Sequence, residues 1–87
     1  ALISMTTCWA KELASAKIRV NAIAPGYMDT EMTESVDKTV MDSLVADTAL
    51  KRLGKADEVA KTAVFLASDD SSYIDGEIIK VTGGYRI

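Results

Sequence analysis

The apolar run Ile18-Arg19-Val20-Asn21-Ala22-Ile23-Ala24 stops at Pro25-Gly26, and Tyr27-Met28-Asp29-Thr30 follows directly. Proline has no amide hydrogen to give a sheet, and glycine takes backbone angles closed to other residues, so the pair ends a strand and turns the chain. In open parallel α/β sheets, ligands sit beyond the carboxyl ends of the strands. The spacing therefore marks this turn as a ligand-facing loop.

Other chemistries find less support. With no His in the chain, Ser-His and Cys-His nucleophile machinery and His-based zinc sites are excluded within these residues, and no metal ligand set is proposed. Cys8 stands alone, which excludes a disulfide framework, fits a reducing compartment and reads as a small buried hydrophobe. Gly83-Gly84 has no helix after it and no Lys-Ser or Lys-Thr beside it, and Gly54-Lys55 fails in the same way, so neither is a phosphate loop. A net charge of −3 with scattered Lys and Arg leaves no basic stripe for nucleic acid. No apolar run is long enough to cross a bilayer, and the reading is a soluble chain without a membrane partner.

The turn needs elements to hold it. Leu2, Met5, Trp9 and Leu13 recur at helical spacing within residues 1 to 15, which predicts an amphipathic helix with Trp9 in a core or interface. No capping residue precedes it, so the chain reads as cut through a helix. Residues 18 to 24 read as a strand covered on both faces, with Arg19 near its solvent end. From Thr30 to about Ala49 the pattern is polar and weakly helical, giving one or two short helices with Asp29 and Thr30 as N-cap residues. This segment reads either as a mobile lid or as solvated connector helices.

Arg52-Leu53-Gly54 ends it. Residues 56 to 67 form a second helix, with Asp57 and Glu58 in the first turn and Val59, Ala63 and Leu66 on its buried face. An Arg52–Glu58 pair across this joint, if exposed, contributes about 0 to 1 kcal/mol. Asp69 to Ser72 is a polar loop, Asp75-Gly76 a turn, and residues 77 to 81 a short strand. The order of helix, strand, lid helices, helix and strand is an α/β arrangement, and 87 residues are too few for a six- or seven-stranded sheet. The chain is one small domain or a piece of a larger one.

Arg19-Val20-Asn21-Ala22-Ile23-Ala24-Pro25-Gly26, Thr30, Arg52-Leu53-Gly54, Glu58-Val59-Ala60, Phe65-Leu66-Ala67-Ser68, Tyr73-Ile74-Asp75-Gly76 and Val81-Thr82-Gly83-Gly84 stand in one register along all 87 residues. In these the chain resembles the C-terminal part of a short-chain dehydrogenase/reductase, closest in look to the 3-oxoacyl-(acyl-carrier-protein) reductases. The resemblance implies the C-terminal portion of a single Rossmann-type, doubly wound parallel sheet that binds NAD or NADP, in a cytoplasmic homotetramer acting on a small carbonyl or alcohol substrate. It implies that Pro25 and Gly26 run beside the nicotinamide and that the Met28 amide bonds its carboxamide. It places the Thr30 hydroxyl at the carboxamide or pyrophosphate, and makes residues 31 to 52 the substrate-covering segment.

The family's glycine-rich nucleotide loop, its catalytic Ser and its Tyr-x-x-x-Lys motif lie upstream of this part of the fold, so no catalytic residue is assigned here. Tyr27 and Tyr73 have no Lys four residues on, and Tyr85 lies too near the end. Thr82 stands where the family commonly has Asp. The competing reading, from a different class, is a non-catalytic association module or small binding domain.

Overall fold

The computed structural model describes residues 1–87, apart from the side chain of Met32. Its elements are α1 (Leu2–Leu13), β1 (Ala22–Pro25), β2 (Met28–Asp29), α2 (Lys38–Ala46), β3 (Gly54–Lys55), α3 (Ala56–Ala67) and β4 (Ile78–Val81). Short 3-10 turns occupy Ala14–Ala16, Glu31–Ser35 and Asp69–Ser71.

β1 and β4 are parallel, with Ala22 opposite Ile78 and Pro25 opposite Val81. β2 and β3 form a second parallel pair, two residues long, with Met28 opposite Gly54. Parallel neighbours need a long crossover, and everything from residue 26 to residue 77 lies inside the one that joins β1 to β4. The α/β arrangement is as expected.

The central strand is shorter than residues 18 to 24, and it includes Pro25. The Ala22 amide donates to the Glu77 carbonyl at 2.8 Å and the Gly26 amide to the Val81 carbonyl at 2.8 Å, so even-numbered residues of β1 address β4. Pro25 then has its missing donor on the side away from β4, where proline is tolerated in a strand. Residues 18 to 21 leave the ladder for other partners. Arg19, expected near solvent, reaches inward: Nη1 donates to Ser71 Oγ (3.0 Å) and the Ile74 carbonyl (3.1 Å), and Nη2 to the carbonyls of Leu66 (3.0 Å) and Ser68 (3.1 Å). Asn21 and Val20 bond the 74–77 turn, whose Gly76 has φ +75°.

α1 turns a different side to the rest of the chain than its pattern predicts. Thr6 and Ala10, one helical turn apart, are buried at 3% and 7% exposure. The apolar stripe of Leu2, Met5, Trp9 and Leu13 is exposed, with Trp9 at 48%. Cys8 is also exposed rather than buried, its Sγ 3.6 Å from Glu12 Oε1. The small side chain of Ala10 lets the helix approach the Gly76 turn, where a Cβ would lie 3.5 Å from it. Ala1 gives α1 no side-chain cap.

α3 starts and stops as predicted. Its first turn is fixed by Glu58, whose Oε1 accepts from the Lys55 amide at 2.9 Å, one half of a capping box. Val59 and Leu66 are half-buried, while Ala63 is exposed. α2 begins at Asp37, whose Oδ1 accepts from the Thr39 amide at 2.8 Å, and it contains no buried residue.

Candidate functional site

The loop after β1 is shaped by two parallel pairings, one at each of its ends. At its start, Gly26 passes so close to β4 that a Cβ would lie 2.9 Å from the Thr82 Cα and 3.3 Å from the Thr82 carbonyl oxygen. Glycine is needed here for close approach, since neither of those backbone atoms can swing aside. At its far end the Tyr27 carbonyl accepts from the Gly54 amide at 3.0 Å. Alternate residues of a parallel strand face the same neighbour, so the Met28 N–H points away from β3. It is a backbone donor that this pairing does not consume.

Thr30 begins the 3-10 turn at 31–35 in an extended conformation and is exposed. Thr33 folds back over it: Thr33 Oγ1 accepts from the Thr30 amide at 3.2 Å and donates to the Thr30 carbonyl at 2.6 Å. Asp29 Oδ1 lies 3.4 Å from the same hydroxyl. This holds Asp29 and Thr30 in a defined local turn at the end of β2. Of the two expected caps, Thr30 takes the N-cap position, but the hydrogen bonds there run through its main chain rather than its hydroxyl.

Beside this loop lies a cavity of about 360 Å³, walled by Met28, Arg52, Gly54, Glu58, Val81 and Thr82 among others. Met28 is the one member of Pro25, Gly26, Met28 and Thr30 that lines it. Arg52 and Glu58 meet at its wall as a bidentate pair, Nη1 to Oε1 at 2.7 Å and Nη2 to Oε2 at 2.9 Å. The Arg52 hydrogen bond, followed by the Lys55 amide, lowers the Glu58 pKa from 4.5 to about 2. The same hydrogen bond, followed by the charge of Glu58, raises the Arg52 pKa. Both side chains remain partly exposed, at 48% and 37%, so the pair fixes geometry more than it adds stability.

Tyr85 stands against Tyr27, one of the residues that wall the cavity. Its ring meets Tyr27 edge-on at 5.1 Å between centroids and 71° between planes, and Arg86 lies 5.0 Å from its centroid. Burial, opposed by the Arg86 charge and reinforced by Tyr27, raises the Tyr85 pKa. The sequence offered Tyr85 only as a failed catalytic tyrosine. It also gave no role to the Arg19–Ser71 contact, although an Arg within an apolar run is itself a signal, since a guanidinium there needs several acceptors. Ser71, expected in a polar loop, is 1% exposed.

A family model described as enoyl-(acyl carrier protein) reductase matches residues 1–86. The chain belongs to this short-chain dehydrogenase/reductase family. Among its reductase relatives, the 3-oxoacyl-(acyl-carrier-protein) reductase of Thermotoga maritima is 48% identical over 86 residues, covering 99% of this chain and 35% of that protein. The enzyme of the same name from Chlamydia trachomatis is 45% identical over 83 residues, covering 95% of this chain and 34% of that one. The crystal structure of a 3-oxoacyl-(acyl carrier protein) reductase from Brucella melitensis superposes with a TM-score of 0.95 at 40% identity, over 99% of this chain and 32% of that one. The chain thus spans about a third of the length of the relatives it matches, and its parallel α/β fold is that of a Rossmann-type reductase.

Proposed function

We propose that this chain supplies the nicotinamide-side loop and the substrate-covering segment of an NAD(P)-dependent 3-oxoacyl-(acyl-carrier-protein) reductase. The observation that carries the reading is the backbone of residues 26–28. Gly26 is pressed against β4, and the Met28 amide is turned away from β3, at the carboxyl ends of two parallel strands. A donor set of one backbone amide and one threonine hydroxyl suits a planar carboxamide, because it orients the group without adding charge beside it.

NAD(P)H, when bound, supplies the hydride that reduces a carbonyl to an alcohol. The residues of this chain bind and orient. Pro25 and Gly26 form the loop beside the ring, the Met28 N–H donates to the carboxamide oxygen, and the Thr30 hydroxyl bonds the carboxamide or a phosphate oxygen. Residues 31–52 cover the substrate and exclude water. No group for proton transfer is assigned within the chain. The working form is read as a cytoplasmic homotetramer. The exposed stripe of Leu2, Met5, Trp9 and Leu13 supports association.

The test is a chimera in which these residues replace the matching segment of the Thermotoga maritima reductase. Reduction of a 3-oxoacyl thioester with NADPH or NADH, within about tenfold of the parent, is expected. A folded chimera that is inactive with both cofactors would leave the association-module reading in its place. The description of the matching family model favours a second reading, enoyl reduction. A chimera that turns over a 2-enoyl thioester in preference would establish that one.

A further inference from the structure

After β4 the backbone turns back across the end of the covering segment. Gly83 and Gly84, at φ +62° and +80°, present their carbonyls to the amides of Leu50 (3.0 Å) and Ala49 (3.2 Å). Tyr85 then forms an antiparallel bridge with Thr48. The Arg86 amide donates to the Asp47 carbonyl at 3.0 Å, and its Nε lies 3.3 Å from Asp47 Oδ2. A Cβ on Gly84 would stand 2.6 Å from the Ala49 Cβ, so this approach needs glycine. On its other side the Tyr85 ring abuts Tyr27, whose carbonyl holds Gly54.

One short segment therefore grips two others, the exit from α2 at residues 47–50 and the loop that leads into β2. The opposite end of the covering segment is held differently. There the Thr33 and Val36 amides bond three residues back, to the carbonyls of Thr30 and Thr33, and Thr33 Oγ1 lies 3.4 Å from Asp29 Oδ1 at the end of β2.

We propose that Tyr85 and Arg86 are positioning residues, a clasp that fixes residues 47–50 against the Tyr27 loop. The base of α2 is thereby held at residues 47–50. That residues 31–52 cover a substrate rests on the function proposed above, but the clasp does not. Tyr85 acts through its ring against Tyr27 while its main chain bridges Thr48, and Arg86 acts through Asp47.

Amide hydrogen exchange on the full 87-residue chain tests this, using Tyr85→Ala, Arg86→Ala and Tyr85→Phe. Tyr85→Ala should speed exchange at Ala49, Leu50 and Gly54 at least tenfold while leaving Ala22 and Gly26, which bond β4, unchanged. Arg86→Ala should do so at Ala49 and Leu50 to a smaller degree, and Tyr85→Phe should restore the native pattern. Unchanged exchange at Ala49 and Leu50 in Tyr85→Ala would overturn the proposal. So would an equal rise at Ala22 and Gly26, which would mean general loosening, or a failure of Tyr85→Phe to restore protection. In the chimera, faster exchange with an unaltered KM for the acyl thioester would keep the clasp and remove the covering role from residues 31–52.

Discussion

Arg19 and Ser71 stand 52 residues apart in sequence and 3.0 Å apart between Nη1 and Oγ. The same guanidinium donates to the carbonyls of Leu66 and Ser68 at the C-terminal end of α3, where a positive charge also meets the negative end of the helix dipole. Ser71 Oγ in turn lies 2.9 Å from the Leu66 carbonyl. The Arg19-Val20-Asn21 portion of the family-like motif is thus a brace. It fixes where β1 begins, and hence where Pro25-Gly26 ends.

Arg19→Ala should destabilise the chain by about 1 to 3 kcal/mol, because it strips a charged donor from several part-buried acceptors at once. Arg19→Lys should recover little of this, since an ammonium cannot span the two rows of acceptors that the planar fork reaches. Urea unfolding of both variants checks the pair. A Lys variant as stable as the parent would contradict the brace.

The Arg52–Glu58 pair gives a pH dependence of definite sign. The Glu58 pKa is lowered from 4.5 to about 2, so folding favours its charged form. The stabilisation is fully present above the unfolded value of 4.5 and is lost as pH falls through about 2. The difference in thermal midpoint between the parent and Glu58→Gln should stay constant from pH 7 to about 5 and shrink steadily below that. A carbon-detected titration of the Glu58 carboxylate with a midpoint near 4.5 would refute the assignment.

Gly26→Ala should cost about 1 to 3 kcal/mol, as expected for overpacking against a backbone that cannot yield. The added methyl would meet the Thr82 Cα at 2.9 Å. Thermal denaturation reads the effect, and Thr82→Gly, which clears only the Cβ at 3.2 Å, should not rescue it.

Thr30→Val in the chimera should raise the KM for NAD(P)H by roughly two- to tenfold, the loss of one hydrogen bond worth about 0.5 to 1.5 kcal/mol. The local turn survives the change, because its bonds run from the Thr33 hydroxyl to the Thr30 main chain. Steady-state constants unchanged for both cofactor and substrate would take Thr30 out of the site.

The bounds of α3 were legible because amphipathic spacing and first-turn acids agree there, although Ala63, read on its buried face, is exposed. At Pro25-Gly26 the end of β1 was legible but not its cause: Pro25 lies inside the strand, and Gly26, which has no positive φ, is required for its close approach to Thr82 rather than for a turn. β1 was read too long, since apolar composition at 18 to 21 does not reveal that Arg19 and Asn21 divert those residues to another partner. β2 and β3 are two residues each, too short for any periodicity to show. In α1 the pattern found the apolar stripe but not the buried face, because Thr6 and Ala10 are buried by virtue of small size rather than hydrophobicity. The loop residues of the proposed site were chosen by type and resemblance, whereas the contact at Tyr85 depends on a return of the backbone that the glycines at 83 and 84 permit.

The pairing of β1 with β4 also sets the order in which the molecule can assemble. Asn21 bonds Glu77 across 56 residues of chain, so the ladder forms only after a loop of that length has closed, and loop closure costs entropy before any contact repays it. α1 and α3 need only neighbours within four residues and form early. The strand that aims Pro25-Gly26 is consequently among the last features to appear, and the Arg19 brace, which spans nearly the same interval, closes with it. Refolding should therefore show helical signal in advance of the edge-on contact between Tyr27 and Tyr85.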